Sequence, residues 1–384
     1  VKKRLSFISS MKIELQDQKL TRIKNKEVLV SKLFYEGQNL TSLLLAHPNS
    51  LDELDKTKLI ECYNYYGRAY IEKLIIDSKI IPFAAHVFIN IDCDKAFWKP
   101  KYDFYIKRNN EVKQLLNSIF IKLKNYKCNS LTLTENFAVL LTTNTSIACF
   151  CSGDIDLSAD IIDKDAIISC LNSLNYFSKE QPAKIGEYSG QSMMFFNKDI
   201  IEGGFWVNVI WKPVTRAFLV QDKYNARLSR DRLSAKLIPG TEIRVLEDTS
   251  LMYFCALHIS AGHYFTLSPG LRLYFDIDRL ARYRKIDWDK IIQWAEEDNA
   301  GIRIAMVMCI SNQILNTPIP KKNYENVFKN RRNRKLLNYL IKQKSFEIQS
   351  KSSKLRRLYV ELASDNKNLI ISFVDRVLKK IIFN

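Results

Sequence analysis

Ile147-Ala148-Cys149-Phe150-Cys151-Ser152-Gly153-Asp154-Ile155-Asp156-Leu157 is the stretch on which the reading of this chain turns. Small and apolar residues run into Ser-Gly and then into two aspartates one residue apart, which predicts a strand ending in an acidic pair. Residues i and i+2 of a strand point to the same side. Asp154 and Asp156 therefore aim their carboxylates at one place, with Ile155 turned into the core. Two carboxylates so close repel, and one pKa rises unless a cation lies between them. Hard oxygen ligands of this kind suit Mg²⁺ (or Mn²⁺) held together with a nucleotide's phosphates. Taken alone, Asp-Ile-Asp is equally a strand end reaching water.

The chain has 384 residues, 47% of them hydrophobic, enough for one large or two ordinary cores. The most apolar long segment, Ile75 to Ile91, is interrupted by Asp77, Lys79 and Pro82 and is unsuited to crossing a bilayer. The first residues carry no secretory signal pattern. Eight cysteines without a CxxC pair predict reduced, partly buried thiols, hence a cytoplasmic protein with no membrane partner. His47, His86, His258 and His263 are too scattered to suggest a zinc site.

The net charge of +18 is uneven. From Lys321 to Asn384, 17 Lys and Arg stand against 5 Asp and Glu, a net of +12 in that segment. Such a bias is the footprint of a polyanion such as RNA or tRNA. A lysine-rich solvated helix face gives the same count, although the run Arg331-Arg332-Asn333-Arg334-Lys335 is rich in Arg.

Going outward from the acidic pair, the apolar spacing of Val112, Leu115, Leu116, Ile119, Phe120 and Leu123 predicts a helix over 110–127. Leu131-Thr132-Leu133-Thr134 alternates like a short strand, and 138–141 reads as a short helix or turn. A helix at 164–174 follows. Strands are expected at 191–197 and 205–211, with Gly203-Gly204 as their turn. Residues 1–77 read as helical and Pro82 as a break in that pattern. Beyond a polar Arg-rich connector (216–232) and Pro239-Gly240, helices dominate. Asp248 or Thr249 caps one that ends at Gly262; others cover 271–284, 288–297 (capped by Asp287), 302–315, 324–349 and 353–383. The fold class is therefore α+β, with a small mixed sheet, N-terminal helices and a helical C-terminal region. The divisions expected are 1–100 (helical), 101–235 (α+β core), 236–320 (helical) and 321–384 (basic helical tail).

The order of these segments resembles a known family. Asp154-Ile155-Asp156-Leu157 is similar to the active-site strand of the polymerase-β-like nucleotidyltransferases. Leu257-His258, Phe275-Asp276-Ile277 and Ile286-Asp287-Trp288-Asp289 resemble the "LLxLCxH" and "DI…WD" segments of the bacterial "uncharacterised nucleotidyltransferase" branch, over roughly residues 100–315. Two positions depart from it. Glu135-Asn136 stands where the branch has Lys-Gly, a turn that holds triphosphate on helix N–H groups. Val207-Asn208-Val209-Ile210-Trp211 stands where it has "VDLHW", so Asn208 takes the place of a third carboxylate and cannot act as a base.

The resemblance implies transfer of NMP from an NTP such as ATP to a hydroxyl, phosphate or RNA end. Asp154 and Asp156 would be the metal ligands, with Asn208 beside them at the catalytic centre. Ser152, Gly153, Lys212 and Arg216 are the candidates for nucleotide contact, and Arg227 is a further basic candidate. The substitutions at 135, 136 and 208 leave open a catalytically degenerate protein that binds nucleotide or RNA, or serves as a partner subunit. His258, on an apolar helix face, reads as a satisfied core or interface histidine. Asp276 and Asp278 read as surface or salt-bridged residues, and Trp206 and Trp211 as packing residues, Trp211 being the one able to stack on a base.

Overall fold

The computed structural model describes residues 43–45, 48, 51–178, 192–197, 205–211, 222–263, 265 and 271–341. The expectations for residues 1–42, the Gly203-Gly204 turn, Lys212, Arg216 and the segment 353–383 lie outside the described residues.

The N-terminal part is built from α1 (Glu53–Tyr66), α2 (Arg68–Asp77), α3 (Ile81–Asn90) and α4 (Lys95–Asn125). Gly67, at φ +77, separates the first two. The break expected at Pro82 is present: α2 ends at Asp77, and Pro82 sits in the first turn of α3, where its missing N–H has no intrahelical partner to lose. The helix expected over 110–127 starts much earlier, at Lys95, and runs straight through Pro100. Its first half is half-exposed and carries no clean apolar stripe, so periodicity alone does not reveal it.

The central part follows as β1 (Thr132–Leu133), α5 (Glu135–Thr143), β2 (Asp154–Ser158), α6 (Lys164–Asn172), β3 (Tyr176–Ser178), β4 (Ser192–Asn197), β5 (Trp206–Ile210), α7 (Asp222–Leu233), β6 (Lys236–Leu237) and β7 (Arg244–Val245). These strands form one mixed sheet of order β3-β4-β5-β2-β1-β7-β6. β2 is its middle strand, parallel to β5 and antiparallel to β1. The sheet continues past residue 235 into the β6–β7 hairpin, whose turn holds Gly240 at φ +71. Part of the expected Arg-rich connector is helix, from Asp222 onward.

The strand expected from Ile147 begins only at Asp154. Ile147–Cys149 is a 3₁₀ turn, capped by Ser146 Oγ, which accepts from the Ala148 N–H. The physical reason lies one element away. Asn109 of α4, fully buried, donates its side-chain amide to the carbonyls of Ile147 (2.5 Å) and Phe150 (2.9 Å). Those carbonyls are thus satisfied by a side chain rather than by a neighbouring strand.

Helices α8 (Asp248–Leu257), α9 (Leu271–Tyr283), α10 (Trp288–Glu297), α11 (Gly301–Leu315) and α12 (Arg331–Ile341) complete the described fold. Asp287 caps α10 as expected, its Oδ1 accepting from the Lys290 N–H. Gly262 does not cap a helix; α8 widens into a single π-helical stretch, His258–Gly262. A single hydrophobic core joins residues from Leu44 to Leu340, so helices and sheet share one interior.

Candidate active site

β2 and β5 run in register, with Asp154 beside Trp206 and Asp156 beside Asn208. Ile155, Leu157, Val207 and Val209 point into the core, and all four are buried. The alternation places Asp154, Asp156 and Asn208 on the opposite face of the sheet. There they line a cavity of about 170 Å³ together with Ser152, Glu135, His258, His263 and Arg272. Among the described residues neither aspartate is tied up in an ion pair. Asp154 accepts a hydrogen bond from Ser152 Oγ, and Asp156 accepts one from Asn208 Nδ2 at 2.8 Å.

The approach to Asp154 is held from α4. Beside Asn109, Arg108 donates Nη2 to the Ser152 carbonyl at 2.8 Å, with its guanidinium 4.7 Å from the Phe205 ring centre. Gly153 is exposed, and its carbonyl accepts the Trp206 N–H at 2.9 Å, which opens the parallel ladder. Behind Asp156, its own carbonyl accepts from both the N–H and the Oγ1 of Thr134.

Glu135, next along, begins α5 in the left-handed region, at φ +59. A non-glycine residue there costs on the order of 1–3 kcal/mol and needs support from its surroundings. From that position its side chain meets His258, whose Nδ1 lies 3.0 Å from Glu135 Oε1. Burial opposes ionisation of Glu135, but the charge and hydrogen bonding of His258 outweigh it and hold the carboxyl below its usual value. Burial likewise works against the His258 cation, yet Glu135 and then Asp156 raise its pKa above that of an ordinary imidazole. The negative charge of Glu135 is thus met by a partner within the protein. His263, beside His258, is pushed down to about 3, first by burial and then by the His258 charge.

Asp156 titrates well above the usual carboxylate range, because of burial first and then the charges of Glu135 and Asp154; His258 and the Asn208 hydrogen bond pull the other way. Among the described residues no group of three or more His, Cys, Asp or Glu side chains is arranged to hold a metal ion. The protein offers two convergent carboxylates with a hydroxyl and an amide beside them. That hard-oxygen set fits Mg²⁺ or Mn²⁺, which commonly takes one or two carboxylates and completes its shell with phosphates and water. Arg272 also lines the cavity, and its Nη1 is buried and has no hydrogen-bond partner among the described residues.

Several sequence readings need correcting. His258 is satisfied, by Glu135, but it also lines the cavity, at the start of the π-helical stretch. Such stretches often mark functional sites. Arg227 is not among the residues that line the cavity: it is buried in α7, 2.7 Å from fully buried Asp298 and 2.9 Å from Glu297, with its guanidinium 5.0 Å from the Trp294 ring centre. Of the two readings of Asp276 and Asp278, the surface one fails, since both are buried, and the salt-bridged one holds for Asp278. Asp278 is salt-bridged to Arg279 and Arg282. Asp276, with Oδ1 unpartnered among the described residues, is pushed well above the carboxylate range by burial and then by Glu135. Trp211 is buried, whereas Trp206 is 47% exposed. Glu135, His258 and Arg272 were missing from the sequence-based set because they approach the aspartates from three separate helical segments. The residue-by-residue departure at Glu135 and the histidine of the "LLxLCxH" pattern were the only signals available.

A pair of carboxylates on the middle strand of a mixed sheet, faced by cations from flanking helices, defines the class as a nucleotidyltransferase fold. A model of the family described as "uncharacterised nucleotidyltransferase" matches residues 97–316, more than half of the chain. The protein belongs to that family. No curated protein and no solved structure matches it.

Proposed function

We propose that the protein transfers NMP from an NTP to a hydroxyl, phosphate or RNA-end acceptor, with Asp154 and Asp156 holding Mg²⁺ or Mn²⁺. The observation that carries this reading is the convergence of two carboxylates in one cavity whose lining also holds Arg272, with an Nη1 that has no hydrogen-bond partner among the described residues. A bound divalent ion would offset charge on the phosphates and lower the pKa of an acceptor hydroxyl. Ser152 and Asn208 orient the two carboxylates, and Arg272 offers a charged donor to a phosphate oxygen. The cavity, about 170 Å³, is smaller than the roughly 300–1,000 Å³ of a whole small-molecule site. It suits the phosphate end of a nucleotide, leaving the nucleoside outside.

The basic C-terminal segment supports a polynucleotide acceptor. In α12, Leu336, Leu337 and Leu340 are buried while Arg331, Arg332, Arg334 and Lys335 are exposed along the other side. A row of this kind suits RNA phosphates, and binding through it falls steeply with salt.

A second reading has its own observation. Asn208 meets Asp156 as a donor, where a carboxylate would be a further ligand or a base, which favours a protein that binds nucleotide or RNA without efficient turnover. Incubation with α-labelled NTPs, Mg²⁺ and candidate RNA decides between them. Incorporation that disappears in both Asp154→Ala and Asp156→Ala supports transfer. Salt-sensitive RNA binding with no NTP consumed favours the binding module.

A further inference from the structure

The face of the sheet that carries the acidic pair does not end at the cavity. Strand alternation puts Trp206, Asn208 and Ile210 of β5 on it, and cross-strand pairing adds Phe196 opposite Trp206 and Met194 opposite Asn208. Each of these side chains is partly or fully exposed, while the alternating Phe195, Val207 and Val209 are buried. Trp206, 47% exposed, lies in register with Asp154, one strand spacing (~4.8 Å) away. The Phe196 ring meets it edge-on, with ring centres 5.3 Å apart, and props the indole from the side. The platform is continuous with the cavity through Asn208 and Ile210, which line it.

Building on the nucleotidyl-transfer reading, we propose that Trp206, propped by Phe196, is the stacking platform for the base of the nucleoside triphosphate. Three observations point to that occupant. The cavity, about 170 Å³, is smaller than the roughly 300–1,000 Å³ of a whole small-molecule site, which leaves the adjoining sheet face for the base. Trp206 pairs in register with Asp154, the first of the two carboxylates, so a nucleotide whose phosphates meet Asp154 would have its nucleoside beside the indole. An exposed indole on a sheet face is a sequence-tolerant partner for any base, since every base presents a π-face. Trp206 would then be a substrate-binding residue, and Phe196 a positioning residue that acts through it.

The test uses the full chain and two probes, Mg-ATP (with the other three NTPs in turn) and Mg-tripolyphosphate, titrated calorimetrically. Trp206→Ala is expected to weaken binding of the preferred NTP by roughly 5- to 150-fold and to leave tripolyphosphate unchanged, with Trp206→Phe restoring most of the loss. Asp154→Ala is expected to weaken both probes. If Trp206→Ala binds NTP like the wild type while Asp154→Ala loses both probes, the platform is overturned and the transfer reading survives. Equal loss of both probes in Trp206→Ala also overturns it, because the residue then serves the fold. A wild type that binds neither probe overturns both readings together.

Discussion

Asn208 Nδ2 donates to Asp156 Oδ1 at 2.8 Å across two parallel strands in register. The donor supplies from within the protein part of the positive potential that a cation would supply from outside. Asn208→Asp removes the donor and sets a third carboxylate in the cavity. The variant is expected to be less stable than the wild type in EDTA, by about 1–3 kcal/mol, and to gain more in Tm on adding Mg²⁺ or Mn²⁺. Differential scanning fluorimetry with and without the ion reads this, and equal ion-induced shifts in the two proteins would count against the carboxylate pair as a metal site.

The Glu135–His258 pair has a pH window of its own. Glu135 titrates below its unfolded value, so its contribution is present above about pH 4.5 and is lost as pH falls through the lower folded value. His258 titrates above its unfolded value, so its contribution is full below about pH 6.5 and is lost as pH rises through the folded value. A double-mutant cycle of Glu135→Gln and His258→Gln should therefore show its largest coupling between about pH 4.5 and 6.5, declining toward alkaline pH. A coupling flat from pH 5 to 9 would mean that the two groups do not meet as ions.

Arg227 and Asp298 make the contrasting case of a buried pair with a structural role. Asp298 is fully buried, held by Arg227 at 2.7 Å and by the Tyr253 hydroxyl at 2.8 Å. Arg227→Ala leaves that carboxylate short of its cation, at a cost of about 3–5 kcal/mol. Urea denaturation should show the loss, while NTP binding per folded molecule stays unchanged. Weakened NTP binding with stability intact would return Arg227 to the list of phosphate ligands.

Asn109→Ala tests how the acidic strand is held. The change strips the carbonyls of Ile147 and Phe150 of their donor, costing about 1–3 kcal/mol. It also loosens the segment that delivers Ser152 and Asp154 to the cavity. Chemical denaturation should report the first effect, and a lower affinity for Mn²⁺, followed by paramagnetic relaxation, the second. Unchanged Mn²⁺ affinity would confine Asn109 to a folding role.

What could be read directly from the residues is what short-range periodicity encodes. Ile155 between Asp154 and Asp156, the alternation of 205–211 and the Asp287 cap all report local backbone geometry, and all three lie in the elements expected of them. Where periodicity is weak or absent, the expectation failed. The first half of α4 carries no apolar stripe, and Ile147–Gly153 looks like a strand until Asn109, nearly forty residues away, claims its carbonyls.

The same division holds for function. The chain itself determined that two carboxylates share one side of a strand, because a period of two leaves them no other choice, and that a basic surplus gathers toward one end. Only the tertiary structure decided which charges meet those carboxylates. Glu135, His258 and Arg272 come from α5, the end of α8 and α9, and nothing in local spacing brings them together. The fates of Arg227 and Trp206 were decided in the same way, one drawn into the core by Asp298 and the other left exposed beside Asp154. Burial and long-range partners set how strongly a charge or an aromatic ring acts, and both exist only once the chain has closed on itself.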